Sequence, residues 1–107
     1  MNDFSLKIGA HNIAVIYKSR EALDDYDEDD GYCIHGMFNP DGKQRVIWLA
    51  DDITGTHYMS VFIHELIEAI NQIYELCLTH SQISQISEIL TQIWVDNQKT
   101  LVDHLDL

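Results

Sequence analysis

The sequence predicts an α+β fold in which a small, mostly antiparallel sheet, made of an N-terminal strand and a β-hairpin, packs on two α-helices. Three observations carry this. Apolar and polar residues alternate in "SLKIGAHNIAVIY"; the apolar runs "YCIHGMF" and "QRVIWLA" flank the turn sequence "NPDGK"; and after "DDITG" the apolar period lengthens from two to about 3.6. At 107 residues the chain is read as one domain, residues 1–107, with room for a single modest core.

Taken in order, Leu6, Ile8 and Ala10 alternate, then Ile13, Val15 and Tyr17, with Gly9-Ala10-His11-Asn12 between them, so this segment is one bent strand or a short hairpin. "DDYDEDD" at 24–30 follows and is read as a solvated acidic loop. A calcium loop is set aside because no glutamate stands at the twelfth position its alternating aspartates require. Pro40 and Asp41-Gly42 then turn the chain between the two runs of the hairpin.

From about residue 57 to 76, a spacing of 100° per residue gathers Phe62, Leu66, Ile67, Ile70, Ile73, Tyr74 and Cys77 on one side. His64, Glu65, Glu68, Asn71, Gln72 and Glu75 fall on the other, which predicts an amphipathic helix. A second helix is predicted from Thr79, where Thr79-x-x-Gln82 has the form of a capping box, to about Asn97. Its apolar stripe is Ile83, Ile86, Leu90, Ile93 and Trp94, of which Ile86, Leu90 and Ile93 are expected to be buried. The tail 98–107 is expected to be a frayed turn or a docked extension.

The first helix carries the chemistry. His64-Glu65-x-x-Glu68 departs at one position from the H-E-x-x-H pattern of zinc peptidase helices, which spaces two ligands at i and i+4 so that one face of the helix shares the metal. A carboxylate oxygen is an ordinary zinc ligand, so Glu68 can stand where imidazole usually does. Glu65 occupies the place of the general base. His80 opens the second helix twelve residues after Glu68, within reach of a short connection, and is the candidate third ligand. His64, Glu68 and His80 would form a two-histidine, one-carboxylate set for Zn2+. His57 lies on the same face as His64, but two turns, about 10 Å, separate them along the axis. His35 and Tyr58 are considered as oxyanion donors and assigned instead to the core and its edge.

A hairpin, a loop, "HELIEAI" on a helix and the packed helix "HSQISQISEILTQIWVDN" together resemble the minimal zincins. These are compact metallopeptidase-like proteins of phages and prophages, related to the repressor-cleaving peptidases of mobile elements. The resemblance covers residues 31 to 97. It implies a zincin-like fold, a zinc cofactor and hydrolysis of a peptide bond by metal-activated water. Those proteins usually carry His where Glu68 stands and Glu near the position of His80. The exchange keeps the ligand composition and changes which helix supplies the carboxylate.

Charge narrows the partners. Six Lys and Arg against eighteen Asp and Glu give −12, which repels nucleic acid and anionic membranes and favours a cationic peptide or protein substrate. Cys33 and Cys77 are isolated in apolar segments, as expected of buried free thiols in a reducing compartment. With no segment suited to a membrane span, the expectation is a cytoplasmic protein, bacterial or phage-encoded. A protein-binding module that has lost catalysis is the alternative from a different functional class.

Overall fold

The computed structural model describes residues 2–26, 35–39 and 45–105. Strands β1 (Phe4–Ile8) and β2 (His11–Lys18) are followed by helix α1 (Arg20–Tyr26). Strands β3 (Gly36–Phe38) and β4 (Val46–Ala50) lead to helices α2 (Gly55–Tyr74) and α3 (His80–Leu105). The fold class is the one the sequence predicts: a four-stranded, mostly antiparallel sheet against two long helices.

The N-terminal segment is the hairpin rather than the bent strand. Ile8 pairs with His11 across Gly9-Ala10, and Gly9 takes a left-handed φ of 58° while the Tyr74 hydroxyl fills the space a side chain would need. Two features were not expected. Acid-rich residues 20–26 form α1, which buries Leu23 against Ala50 and Ile53. That crossover lets β4 pair parallel to β2, giving the order β1-β2-β4-β3. The acidic residues 27–30 and the turn at 40–42 lie outside the described residues.

Register places Ile13, Val15, Ile47 and Leu49 on the sheet face that meets α2, all with no exposed area. Phe38, Tyr58, Val61, Phe62 and Ile73 close over them. Gly36 and Phe38 share this face through their pairing with Leu49 and Ile47. A Cβ at Gly36 would stand 2.7 Å from Val61 Cγ1, 3.1 Å from Glu65 Cγ and 3.3 Å from Leu49 Cδ2. The missing side chain is thus what lets α2 lie close to the edge strand. Gly36→Ala is expected to cost about 1–3 kcal/mol as an overpacking change, measured by urea titration.

Helix α3 departs from the sequence reading in extent and in face. It continues to Leu105, so most of the tail is helix. Its buried residues are Ile83, Ser87 and Thr91, whereas Ile86, Leu90 and Ile93 are 37%, 44% and 47% exposed. Ser87 donates to the Ile83 carbonyl at 2.6 Å and Thr91 to that of Ser87 at 2.7 Å. These hydroxyls are satisfied within the helix and their small side chains admit α2. Cys77, expected buried, is exposed in the α2–α3 turn with a left-handed φ of 59°; Cys33 lies outside the described residues.

Candidate metal centre

One turn of α2 and the first residue of α3 make the site. His64 and Glu68 are four residues apart on α2, and their side chains meet with His64 Nε2 3.5 Å from Glu68 Oε1. His80 arrives from the other helix, with Nδ1 3.5 Å from the same oxygen, and its ring centre is 5.2 Å from that of His64.

The connection that delivers His80 is fixed by polar contacts. Glu75 ends α2 with a left-handed φ of 52°, and the Leu76 N–H donates to Asn71 O. The Asn71 side chain accepts the Leu78 N–H at 2.9 Å and donates to the Leu78 carbonyl at 3.3 Å. Thr79 and Gln82 then form the expected reciprocal capping box: the Gln82 N–H donates to Thr79 Oγ1 at 3.1 Å, and the Thr79 N–H to Gln82 Oε1 at 2.9 Å. Sequence reasoning placed Asn71 on the polar face without a role. Its position three residues after Glu68, on the ligand side of the helix and before a turn, was the available signal.

The distance of Glu68 from each histidine is longer than a hydrogen bond and close to the edge of a tetrahedral site. Ligand atoms about 2.0–2.2 Å from a tetrahedral ion are about 3.4 Å apart, while a good N–H···O bond is about 2.7–3.2 Å long. The ligand atoms of His64, Glu68 and His80 all lie within 4.8 Å of one another, and they form the group of this kind found among the described residues. Burial holds the His64 imidazole below its usual pKa, with the His80 charge adding to this and Glu68 opposing it. The neutral ring is the form that ligates. The His80 side chain is 79% exposed, so the site opens to solvent on that side.

Glu65 is not on an exposed face as its neighbours suggested; it is 8% exposed, wedged under β3. The Gly36 gap admits it, and the Phe38 N–H donates to its carboxylate. His35 O and Asn39 N carry the ladder to β4, so alternation turns the Phe38 N–H away from β4 and towards Glu65. Burial, and secondarily the Glu68 charge, pushes the Glu65 pKa from 4.5 up to about 7, against the pull of the Phe38 bond.

Tyr58 and His35 pair with residues outside the ligand set. The Tyr58 hydroxyl is 2.6 Å from that of Tyr17, and burial raises its pKa. His35 packs edge-on against His57, with ring centres 4.5 Å apart, and its Nδ1 is 3.2 Å from Arg20 Nη2. Burial, His57 and Arg20 hold His35 below its usual pKa. Arg20 also grips Asp52 through two contacts of 2.7 and 3.0 Å, which lowers the Asp52 pKa. No described helix is long and apolar enough to cross a membrane. No family model, curated protein or solved structure matches the chain.

Proposed function

We propose that the chain is a zinc-dependent peptide hydrolase of the minimal zincin-like type, with His64, Glu68 and His80 as ligands and Glu65 as the general base. The observation that carries this reading is the 3.5 Å spacing of both histidines from one Glu68 oxygen, the edge length of a tetrahedral site. Three protein ligands with an exposed fourth side correspond to a catalytic rather than a closed structural centre. Zinc held there would supply a Lewis acid and lower the pKa of a water beside it.

The protein's own part is proton handling. Glu65, buried next to the ligands with its pKa raised in the metal-free protein, is placed to take a proton from the attacking water and return it to the leaving amine. The Phe38 N–H holds the carboxylate in one orientation. Glu68, as an anionic ligand, would offset part of the charge of a bound metal. A surface of net charge −12 favours peptides carrying Lys or Arg, and exposed Cys77 as a free thiol suits a reducing cytoplasm.

A second reading is favoured by one feature: the ligands come from two helices, so a metal there would clip α2 to the start of α3 in a non-catalytic binding module. Both readings require zinc. Protein purified without chelator is expected to hold one zinc per chain by elemental analysis. His64→Ala and Glu68→Ala should abolish that stoichiometry, and His80→Ala should lower affinity by at least tenfold. Full zinc retention in His80→Ala would remove the proposed centre, whereas zinc without cleavage of a Lys- and Arg-rich peptide library would favour the clip.

A further inference from the structure

Helix α3 has two apolar sides, and the α2 packing uses only one. The outward side carries Ile86, Ile89, Leu90 and Ile93, which are 37%, 59%, 44% and 47% exposed. At 100° per residue this stripe continues through Thr79 and Gln82 towards one end and Asn97 and Thr100 towards the other. None of these eight positions carries a charge, in a chain with eighteen acidic residues. Loss of charge around an apolar centre marks the core of an interface rather than ordinary surface.

The stripe is also nearly the same when read backwards. Residues whose numbers sum to 179 match: Ile89 with Leu90, Ile86 with Ile93, Gln82 with Asn97, Thr79 with Thr100. An isologous two-fold contact sets residue i of one copy against residue j of the other and the reverse, and about an axis between Ile89 and Leu90 it places apolar residues against apolar ones and amide against amide. The amides are complementary as well as matched. Gln82 Oε1 already accepts the Thr79 N–H, leaving Nε2 to donate, while Asn97 Nδ2 already donates to the Ile93 carbonyl at 2.9 Å, leaving Oδ1 to accept.

We infer that this face is a self-association surface, on which α3 packs antiparallel against α3 of a second copy about a two-fold axis between Ile89 and Leu90. Neutrality matters here because two chains of −12 repel each other, and α3 offers a contact strip along which no carboxylate is buried. From Thr79 to Thr100 the strip is about 32 Å long, and a helix about 10 Å wide gives a footprint of roughly 320 Å² per copy. That is below the roughly 800 Å² per partner of a standard interface, so the dimer is reversible and concentration-dependent. The inference does not rest on the proposed chemistry, since none of His64, Glu65, Glu68 and His80 lies in the strip.

The test uses the full chain with Cys33 and Cys77 replaced by Ser. Gln82→Cys and Asn97→Cys are made as separate proteins. Antiparallel pairing predicts that a mixture of the two forms a disulfide heterodimer under mild oxidation and that neither protein alone does so, because like positions then lie about 22 Å apart along the axis. Sedimentation of the parent should show a shift from 12.4 kDa towards twice that mass with rising concentration. Leu90→Glu, at an exposed position, should keep the parent's circular dichroism and raise the dissociation constant at least tenfold. Cross-linking of each cysteine protein by itself would mean a parallel pairing and overturn the inference. So would a parent that stays monomeric at high micromolar concentration, which would assign the face to a different partner.

Discussion

Glu65→Gln is expected to retain one zinc per chain and to lose about 10²- to 10⁴-fold in turnover, the usual size of a general-base contribution. The side chain lies beside the ligand set rather than in it, and the amide keeps an oxygen that can accept the Phe38 N–H. Orientation and volume are therefore preserved while the capacity to accept a proton is removed. Elemental analysis and single-turnover cleavage of a basic peptide library, run on the parent, Glu65→Gln and His64→Ala, separate the roles. His64→Ala should lose both metal and cleavage. Equal residual cleavage in the parent and Glu65→Gln would point to a contaminating protease and withdraw the catalytic assignment.

Periodicity located most of the architecture because it records which side of an element meets the core. The alternation in β1 and β2, the two runs that become β3 and β4, and the 3.6-residue pattern of α2 each report a burial decision made locally. The parallel pairing of β2 with β4 escaped because strand order is a property of elements distant in sequence. Helix α1 escaped because Glu21, Asp24 and Asp25 give its residues the composition of a loop, while a single buried Leu23 anchors it.

The error on α3 is more instructive. Hydropathy selected Ile86, Leu90 and Ile93 as the inner stripe, but Ser87 and Thr91 are buried because their hydroxyls bond to carbonyls one turn back and need no outside partner. A residue's transfer energy does not say whether its polar atom is satisfied locally.

The candidate site was legible to a similar degree. The i, i+4 spacing brought His64 and Glu68 together, and the capping box at Thr79 fixed where α3 begins and hence where His80 points. Glu65 was placed in sequence but not in environment. Its burial depends on Gly36, twenty-nine positions earlier, whose lack of a side chain opens the space beneath β3. No pattern within α2 carries that information, and the raised pKa of Glu65 follows from it.

The same burial predicts a stability effect in metal-free protein, where Glu65→Gln should be the more stable form at high pH. The sign follows from linkage. A carboxyl whose pKa is 4.5 when unfolded and about 7 when folded binds its proton more tightly in the native state. Its contribution to stability is fully present below pH 4.5 and is lost as pH rises through 7, where the buried group must ionise. The size of the shift corresponds to about 3 kcal/mol, at 1.36 kcal/mol per pH unit. The glutamine side chain of the variant is neutral throughout, so the acidic residues that do not interact with Glu65 cancel in the difference. Urea titrations in the presence of chelator should give nearly equal stabilities at pH 4.5 and an advantage of about 2–3 kcal/mol for Glu65→Gln at pH 8. A constant difference across that range would mean that the carboxylate is solvated in solution, and the pocket formed by Gly36 and Phe38 would then not be what tunes it.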